Sequence, residues 1–245
     1  MIDTHCHLDR YPNPKLIANK AERAGVTVIA VTNLPSHFRD GFLPASQLPN
    51  VRLSLGLHPL LAPHSDQECR LFSEMVLKTS YVGEIGLDFS RDGSSTRDAQ
   101  IDSFSFVLRE IRNSAKVLSI HSRRAELTVL ELLAEHNVGA AIFHWFTGDI
   151  SVLDQVIGLG HYLSVNPAMF RSESGRRVVS GIPRERVLFE TDGPYCKTAK
   201  GPAGPWDVSA VAEHLARSWR CTVEEVTLQA GRNFRQMLSE RKCLS

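Results

Sequence analysis

Six residues of the types that hold divalent metal ions lie near the ends of short apolar runs of the chain. They are His5, His7, Glu84, His121, His144 and Asp192. Residues two positions apart on a strand point to one face, so the first two histidines can face a common ion. Four imidazoles and two carboxylates exceed the needs of one tetrahedral zinc with an open position. The set suits two metal ions about 3.5–4 Å apart that are bridged by a carboxylate and a hydroxide, as in metal-dependent hydrolysis.

Each of these residues also has an ordinary structural explanation. A pair such as His5 and His7 is common in strand packing or on a surface. Glu84 could be a salt-bridged buried carboxylate, because an unpaired one is expensive to bury. Asp192 is a frequent type of helix cap. The metal interpretation is favoured because the six residues occupy the same position in a repeated strand–helix unit. Helix caps and packing pairs together do not explain this recurrence.

The repeated unit consists of one short apolar run followed by a segment with helical periodicity. The runs cover 2–7, 26–33, 51–58, 81–88, 117–121, 140–144, 162–166 and 187–192, and their ends lie 22 to 33 residues apart. A strand with its crossover helix needs about 30 residues, so the spacing predicts eight βα units. Apolar residues three apart, such as Leu127, Leu130 and Leu133, support the helices. Glycines at 25, 139 and 160 mark expected helix ends.

Continuously apolar strands predict a parallel sheet that is buried on both faces. Eight units in about 250 residues predict a (β/α)8 TIM barrel, with 1–245 as a single domain closed by helices from 206 to 238. An open doubly wound sheet is the alternative, but no GxGxxG motif follows any of the runs. In a barrel the carboxyl ends of all strands meet at one rim, which brings the six residues to one cavity.

Composition restricts the class of protein further. The formal net charge of +1 provides no general field for nucleic acid or a membrane surface. The start of the chain lacks a secretory signal pattern, and the apolar stretches are too short to cross a bilayer. Five cysteines without CxxC spacing predict reduced thiols and a cytoplasmic protein. We expect no membrane partner, and a monomer or weak oligomer.

The motifs around these positions resemble those of the TatD-like metal-dependent hydrolases. The shared segments are 5–9 (HCHLD), 56–59 (GLHP), 83–88 (GEIGLD), 120–123 (IHSR), 144–148 (HWFTG), 190–195 (ETDGPY) and 231–234 (GRNF). Trp145 and the turn at 166–169 (NPAM) are most similar to the TatD-like member of the Qat antiviral cassettes. This second resemblance implies partner proteins of an anti-phage defence cassette.

The resemblance to TatD-like enzymes implies a two-metal phosphodiesterase, often a DNase that acts as a 3′–5′ exonuclease through a metal-bound hydroxide. It implies that His5, His7 and Asp192 hold the first ion and that His121 and His144 hold the second. Glu84 would bridge the two ions. Asp192 would also be the catalytic base, so the implied catalytic residues are Asp192 and Glu84. Zinc suits the imidazoles best, while manganese, magnesium and nickel are also compatible with the carboxylates.

Substrate contacts are expected at four positions on the same rim. His58 ends the third strand, where relatives contact the scissile phosphate; a hydrogen-bonded partner of the site is the alternative role. Arg123 lies two residues after His121, and Arg171 belongs to a cation-rich stretch, 171–200, in the loops that commonly bind phosphate. Tyr195 is expected to stack an unpaired base, with Phe146 and Phe170 as further candidates that could equally be rim packing.

The loop after Asp192, 196–202 (CKTAKGP), lacks the Asn- and Glu-containing pattern of TatD relatives. Precise phosphate contacts therefore do not transfer to it. We expect DNA or another phosphoester as substrate, approached at single-stranded or frayed ends. The alternatives are an amide or aminoacyl-ester hydrolase that uses the same metal site, and a metal-stabilised, non-catalytic subunit of a defence complex.

Overall fold

The computed structural model describes residues 1–61, 66–112 and 114–240. Eight parallel strands and nine α-helices alternate along this part of the chain. The parallel strands are β1 (Ile2–Cys6), β2 (Thr27–Val31), β3 (Val51–Ser54), β4 (Tyr81–Gly86), β5 (Val117–His121), β6 (Ile142–His144), β7 (Tyr162–Val165) and β8 (Val187–Phe189). A two-residue pair, β9 (Lys197–Thr198) and β10 (Gly201–Pro202), forms a small antiparallel ribbon in the loop after β8. The expected end of the domain at 241–245, with Cys243, lies outside the described residues.

The helices lie between and after the strands. They are α1 (Pro14–Arg23), α2 (Pro35–Ser46), α3 (Asp66–Met75), α4 (Arg97–Glu110), α5 (Glu126–Glu135), α6 (Ile150–Gly158), α7 (Glu173–Gly181), α8 (Val208–Trp219) and α9 (Val223–Glu240). Within the described ranges, no helix has the length and apolar character that crossing a membrane requires.

The strands pair in the order β1-β2-β3 and β4-β5-β6-β7-β8. The first seam between the two groups is closed by a parallel bridge from Leu55 to Val82, with the Leu55 amide donating to the Tyr81 carbonyl at 3.0 Å. At the second seam, the amide of Asp192 donates to the carbonyl of His5 at 2.8 Å. The hydrogen bonds thus close around a ring, and the predicted (β/α)8 barrel is confirmed.

Two glycines end helices as predicted and one does not. Gly25 and Gly160 follow α1 and α6 with φ of 69° and 87°, a left-handed conformation that glycine adopts without steric cost. After α5 the left-handed residue is Asn137, with φ of 53°, and the expectation for Gly139 is wrong. Asparagine tolerates this conformation better than most residues, which allows the helix to end before the glycine.

The last strand also ends earlier than its apolar run. β8 stops at Phe189, whereas the run continues to 192. Beyond β8 the backbone changes its hydrogen-bonding partner. The amide of Glu190 still donates to the carbonyl of Val165 in β7 at 3.0 Å, whereas the amide of Asp192 donates to the carbonyl of His5 in β1. Asp192 adopts a φ of 46° at this crossing. Its side chain is thereby placed at the rim, beside the end of β1.

Candidate metal centre

The carboxyl end of the barrel brings together all six predicted metal ligands. His5 is in β1 and His7 follows it, Glu84 is in β4, His121 and His144 end β5 and β6, and Asp192 follows β8. Five are buried, and His121 is partly exposed. Six side chains that are far apart in sequence therefore share one small volume, as the barrel topology predicts.

Glu84 lies at the centre of the cluster, and its two carboxylate oxygens face different histidines. Oε1 is 2.7 Å from His121 Nδ1, 2.9 Å from His144 Nε2 and 3.3 Å from His58 Nε2. Oε2 is 3.3 Å from His7 Nε2 and 3.7 Å from His5 Nε2. One carboxylate thus contacts two separate sets of imidazoles.

Asp192 completes the side of the cluster that is formed by β1. Its Oδ1 lies 3.4 Å from His7 Nε2 and 3.7 Å from His5 Nε2. The two Nε2 atoms are themselves 3.3 Å apart, and the ring of His5 stacks on that of His144 with 3.9 Å between centroids. Ring nitrogens and carboxylate oxygens therefore point at a common space.

The donor set fits divalent metal ions. Three groups each offer donor atoms within 4.8 Å of one another: His5 with His7 and Glu84; His5 with His144 and Asp192; and His58 with Glu84 and His121. Nitrogen and oxygen donors of this kind suit zinc, manganese and related ions. In the described part of the chain, every ion-pair partner of Glu84 is a histidine rather than a permanently charged arginine or lysine. A buried carboxylate in this setting needs a cation.

The grouping differs from the one that the family resemblance implies. His144 groups with His5 and Asp192, while His121 groups with His58. His58, expected as a substrate contact, thus lies close enough to Glu84 to act as a ligand or as a positioning residue. The assignment of individual residues to each ion stays a prediction.

The pKa values reflect the close packing of acids and imidazoles. Burial acts to raise the pKa of Glu84, but the surrounding histidines, His58 and His144 foremost, hold it well below its usual range. Burial lowers the pKa of His7, yet its contacts with Asp192 and Glu84 outweigh burial and raise that pKa to about 9. The pKa of His5 is lowered by burial and by the neighbouring His144.

Three residues around the cluster were not predicted from the sequence to be functional. Ser119 Oγ lies 2.7 Å from His5 Nδ1, and Asp88 Oδ2 lies 2.9 Å from His121 Nε2. Glu190 is fully buried and accepts hydrogen bonds from the amide of Trp145 at 3.0 Å and from Asn166 Nδ2 at 2.9 Å. Hydrogen bonds to the outer nitrogen of a ligand histidine orient its ring and choose its tautomer. The position of Ser119, two before His121 on one strand face, was the available signal.

The predicted aromatic contacts separate into exposed and buried side chains. Tyr195 is 53% exposed, and its ring meets that of His7 edge-on at 4.9 Å between centroids. Phe170 stacks on His214 at 4.4 Å. Phe146 is only 1% exposed and packs in the core, so rim packing is the correct interpretation of this residue.

The two predicted arginines are both exposed, but they face different surroundings. Arg171 donates through its guanidinium to the carbonyl of Lys197, in the loop after β8. The backbone carbonyl of Arg123 accepts a hydrogen bond from the amide of Phe89 at 2.9 Å. Its guanidinium has no hydrogen-bond or ion-pair partner among the residues described. Of the two side chains, that of Arg123 is the one without such a partner in the described part of the chain, two residues after His121.

An eight-stranded barrel with histidines and carboxylates gathered at its carboxyl end defines a metal-dependent hydrolase of the (β/α)8 class. A family model described as TatD related DNase matches residues 2–239. The chain belongs to this family, and it is an enzyme that hydrolyses ester bonds with divalent metal.

Individual relatives agree with this assignment over nearly the whole chain. Deoxyribonuclease TATDN3 of Homo sapiens is 26% identical over 246 residues, which cover 92% of this chain and 90% of the relative. The uncharacterized metal-dependent hydrolase YcfH of Escherichia coli K12 is 31% identical over 258 residues, covering 97% and 95%. The crystal structure of YJJV, a TatD homolog from Escherichia coli K12, aligns with a TM-score of 0.87 at 25% identity and 97% coverage of both chains.

Proposed function

We propose that the chain is a two-metal phosphodiesterase that removes nucleotides from single-stranded or frayed DNA ends, in the manner of a 3′–5′ exonuclease. The observation that carries the proposal is the position of Glu84. One of its oxygens faces His121 and His144, and the other faces His7 and His5. A carboxylate in this position can bridge two ions, which is a recurring arrangement in enzymes that cleave phosphodiesters.

In this proposal His5, His7 and Asp192 would hold one ion, and His121 and His144 would hold the other. Glu84 would be shared between the two ions. When bound, the ions lower the pKa of a water toward about 7 and neutralise charge on the phosphate. Zinc is the first choice for this imidazole-rich set, with manganese, magnesium and nickel as alternatives.

The side chains supply what the ions do not. Asp192 lies at the rim beside His7, where its carboxylate can accept the proton that the attacking water loses. Ser119 and Asp88 hold the rings of His5 and His121, so that the opposite nitrogens face the cluster. His58, within 3.3 Å of Glu84, is placed to contact the scissile phosphate or an ion beside it.

The shape and charge of the rim favour a chain end over duplex DNA. The loops that follow the eight strands surround the cluster, and we expect this rim to admit one unpaired nucleotide more readily than a rigid duplex. Tyr195 offers an exposed ring next to His7 on which a base can stack, an interaction worth about 1–3 kcal/mol. A net charge of +1 supplies few of the phosphate contacts that tracking along a duplex requires.

A cytoplasmic location and partner proteins of an anti-phage defence cassette belong to the same proposal. Four cysteines, at 6, 69, 196 and 221, are free thiols. Two residues that carry the resemblance to the Qat cassette proteins contact Glu190, Trp145 through its backbone amide and Asn166 through its side chain. Glu190 Oε2 lies 3.9 Å from His144 Nδ1, so these two positions are close to the candidate metal centre.

The proposal is tested with metal-replete protein and three labelled DNAs: a linear single strand, a blunt duplex and a closed circular single strand. We expect the linear strand to be shortened fastest and the circle to stay intact, with Tyr195→Ala slowing the linear strand about tenfold. Rapid cutting of the circle would show that no end is required. Amide and aminoacyl-ester substrates are assayed in the same preparation, and faster hydrolysis of either would replace the phosphodiester assignment.

A further inference from the structure

A cavity of about 690 Å³ opens at the carboxyl end of the barrel, next to the strands that end in His121 and His144. It lies between the loop that follows β5 and the loop that follows β6, and it extends to the first turns of α5 and α6. Residues on both sides line it, among them Arg123, Arg124, Glu126, Gly148 and Asp149. The two loops begin after His121 and His144, so the cavity lies at the same end of the barrel as the cluster, although none of the six candidate ligands lines it.

The cavity carries charges of both signs that do not neutralise one another. The guanidinium groups of Arg123 and Arg124 are exposed and, within the described ranges, pair with no carboxylate. Glu126 is half-buried, and Asp149 is exposed at the start of α6. Phosphate alone would satisfy the arginines but would be repelled by the two carboxylates. The complementary ligand carries an anion at one end and N–H donors at the other.

The local backbone holds Glu126 in place against this cavity. Arg124 adopts a φ of 57°, and its amide donates to Oε1 of Glu126 at 3.3 Å. A Cβ at Gly148 would lie 3.0 Å from Cδ of Glu126 and 2.7 Å from the ring of Phe146. Glycine at this position therefore leaves the space that the carboxylate occupies.

We propose that this cavity is a nucleotide subsite in which Arg123 and Arg124 bind the phosphate next to the scissile one and Glu126 accepts hydrogen bonds from a guanine base. A carboxylate only accepts hydrogen bonds, so it selects a base edge with adjacent donors. Guanine presents N1–H and the N2 amine side by side. Thymine presents one N–H between two carbonyl oxygens, which the carboxylate repels. This subsite rests on the proposed phosphodiesterase function and adds a base preference to it.

Binding is measured calorimetrically with the deoxynucleoside 3′,5′-bisphosphates of guanine, cytosine, adenine and thymine, which contain no phosphodiester to cleave. Metal-replete protein should bind the guanine compound about tenfold more tightly than the thymine compound. Glu126→Gln should reduce this ratio to below about threefold, and Gly148→Ala should act in the same direction by displacing the carboxylate. Arg123→Ala should weaken all four compounds by similar factors.

Two substitutions serve as matched controls on exposed faces away from the cavity. Glu131→Gln changes the same residue type on α5, and Arg109→Ala removes a guanidinium from α4. Both should leave all four affinities unchanged, and the melting temperature of each variant shows that it is folded.

Equal binding of the four compounds by the wild-type protein would overturn the subsite, even if DNA is cleaved as proposed. A guanine preference that survives Glu126→Gln would also overturn it. Conversely, a guanine preference that depends on Glu126 in a protein without DNase activity would support the subsite and contradict the phosphodiesterase proposal. The failure of the subsite and the failure of the phosphodiesterase proposal can therefore be distinguished.

Discussion

Two buried histidines at opposite ends of the barrel, His161 and His7, have pKa values that shift in opposite directions. At the amino end, His161 precedes β7 and is 3% exposed. Its Nδ1 accepts a hydrogen bond from the amide of Ala141 at 3.2 Å. Burial, assisted by the positive charge of Arg186, lowers its pKa to about 4. At the carboxyl end, contacts with Asp192 and Glu84 raise the pKa of the equally buried His7 to about 9.

The comparison shows that burial alone does not distinguish a structural histidine from a candidate ligand. His161 faces a cation and an aromatic ring, Phe143 at 5.3 Å, so its neutral form is favoured. His7 faces two carboxylates in a space that has room for positive charge. The carboxylates around His7 favour a cation at the carboxyl end, whereas His5 beside it has a lowered pKa. Four predictions test this distinction.

The largest expected effect is at Asp192. Asp192→Asn keeps one oxygen, and asparagine tolerates the left-handed backbone found here, but the base is removed. We expect kcat for DNA to fall by about 10²–10⁴ while metal content changes little. Steady-state kinetics and metal analysis are compared with Asp154→Asn, an exposed carboxylate on α6. If metal is lost in proportion to activity, Asp192 acts chiefly as a ligand.

The second prediction concerns the number of ions. Metal analysis of reconstituted wild-type protein should give about two ions per chain, and His121→Ala should give about one. His5, His7 and Asp192 remain to hold the other ion in this variant. Removing the amino-end histidine, with His161→Gln, should leave the metal content unchanged. A wild-type content of one ion or none would contradict the two-metal site.

The third prediction addresses the support behind a ligand. Ser119→Ala removes the partner of His5 Nδ1 without touching the cluster itself. Metal affinity should fall about 10–100-fold, as competition with a chelating dye would measure. The exposed Ser151→Ala on α6 is the control. Unchanged affinity would mean that packing alone orients the ring of His5.

The smallest expected effect is on stability at the amino end. Because the folded pKa of His161 is near 4 and the unfolded value is about 6.5, the unfolded chain binds more protons between these values. This stability is complete above pH 6.5 and is lost as the pH falls toward 4. Between pH 7 and pH 5 the loss should be about 2 kcal/mol.

Urea unfolding of the wild type and of His161→Gln at both pH values measures this contribution. The variant should lack about 2 kcal/mol of the acid-dependent loss, because glutamine does not titrate. Equal losses in the two proteins would show that His161 is protonated in the fold and would remove the contrast between the barrel ends.

The sequence allowed the barrel and its ligands to be predicted because both repeat. Each βα unit buries one apolar run and ends it in a polar residue, so the positions of the six candidate ligands within the repeat could be predicted without knowledge of contacts. The turn after α5 was not predictable in this way, because Asn137 and Gly139 are both suitable residues and packing of the helix end decides between them.

The contacts that support the candidate ligands could not be predicted from the repeat pattern of the sequence. Glu190 and Asp88 occur in the family motifs, yet their roles depend on contacts with Trp145, two strands away in the barrel, and with His121 on the adjacent strand. Likewise, the sequence pattern does not reveal that His58 Nε2 lies 3.3 Å from Glu84 Oε1. Such geometry is decided by three-dimensional packing and leaves no periodic signal.

The seam between the first and last strands has a consequence for the order of synthesis. The amide of Thr191 donates to Oδ1 of Asp3 at 2.9 Å, and the amide of Asp192 donates to the carbonyl of His5. The cluster therefore forms only when two segments nearly two hundred residues apart in the sequence come together. On the ribosome, the histidines of β1 emerge long before their carboxylate partner after β8. A nascent chain that has not reached this seam has no complete centre, and hydrolytic capacity arises only when translation of the barrel is almost finished.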